Sequence, residues 1–83
     1  MSEPTWGTSF NAATPAQVAT YFRPPHISGA DHLAYILAMG PKAAAIYARG
    51  RARGWWDAND GEKFSAYSRL ATLIDEGASF PDP

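Results

Sequence analysis

The segment Arg49-Gly50-Arg51-Ala52-Arg53-Gly54-Trp55-Trp56 interleaves three guanidinium groups with two adjacent indole rings. Guanidinium groups neutralise phosphates or pair with carboxylates, and indoles stack on bases or fill pockets in a partner's surface. The combination therefore suits binding to a nucleic acid or to another protein. With Lys42 added, residues 42–56 hold four of the seven Lys and Arg side chains and two of the three tryptophans. Residues 41–54 carry +4 while the rest of the chain sums to −5, which sets a basic face on an otherwise acidic molecule. The plainer account is a solvated helix C-terminus, where the macrodipole favours cations, with the tryptophans in the core. Adjacent side chains on an extended or turn segment point to different sides, so one of Trp55 and Trp56 is expected to be at least partly exposed. The expected partner-binding residues are Lys42, Arg49, Arg51, Arg53, Trp55 and Trp56, with a protein as the favoured partner and a nucleic acid as the alternative.

Other chemistries find less support. His26 and His32 are the two histidines, and with Asp31 they offer three ligands, but His26 follows a diproline and no fourth ligand is spaced to help, so no metal site is expected. Asp57-Ala58-Asn59-Asp60-Gly61-Glu62 has the oxygen-rich start of a calcium loop. Its glycine comes one residue early and Ser68 stands where the closing glutamate belongs, so it reads as a polar loop ending in a helix cap. The chain has no cysteine, hence no thiolate ligand, thiol nucleophile or disulfide. No serine or threonine lies in a strained-elbow motif, and no Gly-rich phosphate loop occurs. Asp75-Glu76 falls at a helix C-terminus, where negative charge is unfavourable, and is read as a solvated end rather than a contact with a basic group. Neither a cofactor nor an enzymatic activity is expected.

The elements that must position these residues are helical. Thr14-Pro15-Ala16-Gln17 holds a capping residue, a proline in the first turn and a glutamine able to reach back, and Arg23-Pro24-Pro25 stops the helix it starts. Ser28-Gly29-Ala30-Asp31 repeats the cap-and-acid pattern before 31–39, where apolar residues fall nearly all around the cylinder, as in a buried central helix. Gly40 suits a left-handed cap and Pro41 a first helical position, so a third helix follows over 41–53, ended by Gly54. Its Ala43, Ile46, Tyr47 and Gly50 follow the i, i+3, i+4, i+7 spacing of one face. Lys42, Arg49 and Arg53 share another stripe within about 40°, with Arg51 nearly opposite. The 31–39 helix, the Gly40-Pro41 turn and a basic helix have the lengths of a helix-turn-helix, but Ala43-Ala44-Ala45 stands where base-reading residues belong. Asn59 or Asp60 caps a last helix reaching about residue 76, with Phe64, Tyr67, Leu70, Ala71, Leu73 and Ile74 on or beside its buried face and Gly77 closing it.

The expected architecture is all-α: a single small domain of three to four short helices over 14–77, with an irregular arm at 1–13 and a tail at 78–83. Within the arm, Trp6 and Phe10 are expected to dock on the body. Leu, Ile, Val and Phe together number 13 of 83 residues, so the core must be aromatic, and the sixteen alanines supply close helix packing rather than bulk. The expected core is Leu33, Ile36, Leu37, Ile46, Tyr47, Phe64, Tyr67, Leu70 and Ile74. No apolar run has the length of a membrane span, so no membrane partner is expected and the default location is cytoplasmic. A chain of this size has little volume for an internal active site, which leaves its surface as the working part. The expected function is stoichiometric protein binding by an inhibitor or adaptor, the profile of small phage proteins that disable host or CRISPR machinery. A nucleic-acid binder and a structural or assembly subunit are the alternatives.

Overall fold

The computed structural model describes residues 10–82, so the expectation for Trp6 lies outside the described residues. Within them the chain forms a 3₁₀ turn at Phe10–Ala12 and four α-helices: α1 Pro15–Tyr21, α2 His32–Leu37, α3 Pro41–Asp57 and α4 Gly61–Asp75. The fold is all-α, and none of the described helices is long and apolar enough to cross a membrane.

Local signals decide most boundaries. The Thr14 hydroxyl accepts from the Gln17 backbone N–H at 3.2 Å, and the Gln17 side chain accepts from the Thr14 N–H at 2.8 Å, a reciprocal capping box. Helix α2 is capped by Asp31 itself, whose Oδ1 accepts from the Ala34 N–H at 3.0 Å, so the start lies later than a Ser28 cap would give. Gly40 turns the chain at φ 90°, a conformation that side chains other than glycine rarely adopt, and Pro41 opens α3. The expected stop at Gly54 is overturned: α3 continues through both tryptophans to Asp57. Glycine in a helix interior is unfavourable by about 1 kcal/mol relative to alanine, too little to end a helix that packs on its neighbours beyond that point. The ending occurs at Asn59, φ 65°, where the N–H groups of Asn59 and Asp60 donate to the carbonyls of Trp56 and Trp55 at 3.0 and 2.9 Å. That is the paired closure in which a left-handed residue satisfies the last helical carbonyls. The expected polar loop over 57–62 thus shrinks to 58–60, with Asp60 capping α4 through the Lys63 N–H. Gly77, φ 76°, closes α4 in the same way, with Gly77 and Ala78 donating to Ile74 and Leu73.

Helices α3 and α4 form the central pair and run antiparallel, since Trp56 meets Phe64 beside the turn and Arg49 meets Asp75 far from it. The face that α3 buries is alanine, Ala44, Ala45, Ala48 and Ala52, all at 4% exposure or less, and α4, its main packing partner, buries Ala66, Leu70, Ala71 and Ile74. This corrects the expected stripe of Ala43, Ile46, Tyr47 and Gly50. Ile46 is 63% exposed, Ala43 and Gly50 face solvent, and Tyr47 is half-buried. The physical reason is that methyl side chains let two helix backbones approach closely, and the close α3–α4 contact outweighs the burial of one larger side chain. Gly50 and Gly54 lie in the helix interior facing solvent, and a Cβ built on either meets nothing within 4 Å. No contact among the described residues therefore requires glycine there.

Helix α2 is not the central helix. It has six residues and buries Leu33 and Ile36, leaving Ala34 and Tyr35 exposed. The bulk of the core comes instead from Phe10, Val18, Tyr21 and Phe22 together with Leu33, Ile36, Tyr67 and Leu70. Rings of Phe10, Tyr21, Phe22 and Tyr67 contact one another in series, edge to face, at centroid distances of 4.9 to 5.1 Å. Phe10 is buried, as the expectation for the arm required.

Asp31 also holds the ends of three segments together. Its Oδ2 accepts from Arg23 Nε at 2.9 Å, and Arg23 Nη1 donates to the Pro81 carbonyl at 2.6 Å. Asp31→Ala removes the α2 cap and strips Arg23, whose side chain is 14% exposed, of its carboxylate. A urea titration is expected to show a loss of about 1 to 3 kcal/mol. An unchanged midpoint would mean that neither the cap nor the pair contributes.

Candidate partner-binding surface

Because 42–57 is one continuous helix, the six expected site residues divide between two flanks of α3. Successive residues turn by about 100°, so Trp55 and Trp56 face different directions although both are helical. Trp55 is half-buried beside Tyr67, and Trp56 is 60% exposed. The expectation that one indole is exposed holds, through helical rotation rather than an extended segment.

Arg51 and Trp55 belong to the flank that meets α2 and the start of α4. The Arg51 guanidinium lies 5.7 Å from the centre of the Trp55 ring and 5.9 Å from that of Tyr67, and Lys63 Nζ lies 5.0 Å from the centre of the Trp55 ring. These are cation–π distances. Arg51 has no carboxylate within salt-bridge distance among the described residues, whereas Lys63 also bonds Asp60 at 3.1 Å. The Tyr67 hydroxyl lies 3.0 Å from His32 Nε2. Burial, then the Arg51 charge, lowers the His32 pKa, and burial raises that of Tyr67. Both shifts favour the uncharged forms, a neutral imidazole beside a protonated phenol, and the imidazole tautomer sets which of the two groups donates in the bond between them. Around this pair a cavity of about 210 Å³ is lined by Tyr21, Phe22, Ile27, His32, Trp55 and Tyr67, among others. The Tyr21 hydroxyl donates to Glu62 Oε2 at 2.7 Å, and its pKa is raised by burial first and Glu62 second. Trp55 Nε1 is buried without a hydrogen-bond acceptor among the described residues.

Lys42, Arg49, Arg53 and Trp56 belong to the opposite flank. Arg49 Nη2 donates to Asp75 Oδ2, which corrects the reading of Asp75-Glu76 as a solvated end without a basic contact. The antiparallel α3–α4 pairing brings these residues together across 26 positions of sequence, and the positive group offsets the unfavourable carboxylate at the α4 C-terminus. Arg53 Nε is 3.7 Å from Asp57 Oδ1, one helical turn on, with both side chains more than two thirds exposed. The Trp56 ring packs on Phe64 with centroids 4.9 Å apart and interplanar angle 54°, and Arg53, Trp56, Asp57 and Phe64 line a shallow apolar groove.

Sequence reading missed the residues that complete each flank. Tyr35, 60% exposed, stacks on His32 with centroids 5.9 Å apart and meets the Tyr47 ring edge-on at 6.2 Å, extending the first flank onto the surface. Phe64 completes the second. Its helical register marks it as a core position, and only the exposed Trp56 laid over it makes it part of a surface. No protein-family profile, curated protein or solved structure matches this chain, so its surface is read from its own geometry alone.

Proposed function

We propose that the chain acts by stoichiometric binding to another protein, as a small inhibitor or adaptor, through the flank of α3 that carries Trp56. The observation that supports this reading is the state of the basic groups beside that ring. Arg49 is paired with Asp75 and Arg53 with Asp57, while Arg51 lies against the Trp55 and Tyr67 rings on the other flank. Guanidinium groups already matched by carboxylates project little net field towards a polyanion, and the whole chain carries −1. An exposed indole backed by Phe64, with a guanidinium at its edge, has the composition of an interface hot spot. The N-terminal end of α3, which would meet bases in a helix-turn-helix, presents Pro41, Ala43 and Ile46 to solvent instead.

The test uses the intact chain and Trp56→Ala as baits in extract of its source cells, followed by titration of the partner that separates them. Truncation is expected to weaken that complex by about 2 kcal/mol or more with the helical circular dichroism unchanged, because an exposed ring supports little of the fold. The effect of salt on the complex is expected to be mild. Oligonucleotide titrations provide the opposing outcome. Tight binding to DNA or RNA near physiological salt, with a log–log slope of about −3 that flattens in an Arg49, Arg51, Arg53 to Ala triple variant, would replace protein binding with nucleic-acid binding.

A further inference from the structure

We infer that the chain pairs with a second copy of itself through the outward face of α3, the two helices running antiparallel and crossing at Gly50. This face points away from the alanines that pack on α4. At about 100° per residue it is centred on Gly50, with Ile46 about 40° to one side, Gly54 about 40° to the other, and Ala43 and Asp57 within about 20° of its midline. Ile46 protrudes at 63% exposure, and the space over Gly50 and Gly54 is open. One stripe thus holds both a knob and a recess, and it does so on a single helix.

A two-fold axis through the midpoint of two such helices reverses their direction but sets each edge of the stripe against the same edge of the other copy. Ile46 then falls over the second copy's Gly50, Arg53, Gly54 and Asp57, positions i, i+3, i+4 and i+7, the four-residue hole that accepts a helix knob. Two glycines in that hole let the backbones approach closely.

Charge complementarity selects a second copy rather than an unrelated helix. Lys42 lies on the Ile46 edge at the start of α3 and has no carboxylate within salt-bridge distance among the described residues. Asp57 lies at the end of the helix, and its one ion pair is the long contact to Arg53 at 3.7 Å. Antiparallel pairing brings each Lys42 to the other copy's Asp57, and the symmetry makes that pair twice. At the far edge Tyr47, with Tyr35 against it, widens the apolar contact. Trp56 points about 120° away from Gly50, so its ring and Phe64 stay outside this pairing, while Lys42, Arg53 and Asp57 at the shared edge take part in it.

Sedimentation equilibrium of the intact chain at tens of micromolar is expected to give twice the monomer mass. Ile46→Glu and Gly54→Leu, the first removing the knob and the second filling the hole, are each expected to weaken association at least about tenfold, and Trp56→Ala to leave it unchanged. Both disruptive changes lie on an exposed face, and circular dichroism checks that the helices persist. The chain contains no cysteine, so Gly50→Cys supplies a single thiol at the two-fold, within the reach of a disulfide. Under mild oxidation it is expected to yield a covalent dimer much faster than Thr72→Cys on the exposed side of α4. A monomer at all concentrations with equal crosslinking of the two cysteine variants overturns the inference. So does a dimer that survives both Ile46→Glu and Gly54→Leu, because its interface then lies elsewhere.

Discussion

Ile36→Ala is expected to destabilise the fold by about 2 to 5 kcal/mol, a large part of the whole stability of a domain this small. Ile36 is fully buried on α2, within the core cluster to which α1, α3 and α4 also contribute. Removing three carbons there loses their transfer from water and leaves a cavity that a core of rings and alanines cannot readily close. Ile46→Ala provides the contrast. At 63% exposure it is expected to change stability by no more than about 0.5 kcal/mol when measured dilute enough to keep the chain monomeric. Denaturant titrations of the two variants side by side check this, and similar losses at both positions would show that the outward face of α3 has been misassigned.

Phe10→Ala is expected to cost about 3 to 5 kcal/mol, as other buried phenylalanine truncations do. The ring is 1% exposed and meets Tyr21 edge to face at 5.1 Å, so its loss opens the stack that continues through Phe22 to Tyr67. The backbone after it is anchored as well, since Arg69 Nε donates to the Ala13 carbonyl at 2.9 Å. Thermal and urea unfolding followed by far-ultraviolet circular dichroism measures the loss. A change under about 1 kcal/mol would mean that the segment preceding α1 rests on the core without supporting it.

The residues that could be read directly are those whose effect is local. Thr14 with Gln17, Pro15, Gly40, Pro41, Asp60 and Gly77 each control a few dihedral angles or orphan backbone groups, so their meaning does not depend on what lies across the molecule. The spacing of Tyr67, Leu70 and Ile74 likewise placed the buried face of α4, because one helix supplies the whole period. The face of α3 could not be read this way. Two stripes compete there, one with Ile46 and one with four alanines, and hydrophobic size favours the stripe that the structure exposes.

The candidate surface divides along the same line. That one tryptophan of the adjacent pair is exposed follows from geometry along the chain. That Arg49 is held by Asp75, Arg51 by the Trp55 and Tyr67 rings, and Trp56 by Phe64 depends on how α3 lies against α4.

By itself, then, the sequence determined that this protein is all-helical, where most of its helices begin and end, and that 42–56 concentrates its cations and indoles. Tertiary structure alone decided that this concentration forms two flanks rather than one basic face, and that much of its charge is balanced within the chain. The physical reason is distance along the chain. Caps, turns and periodicity act over three to seven residues, whereas helix–helix packing joins groups tens of residues apart, and its outcome depends on which pair of faces allows the closest approach.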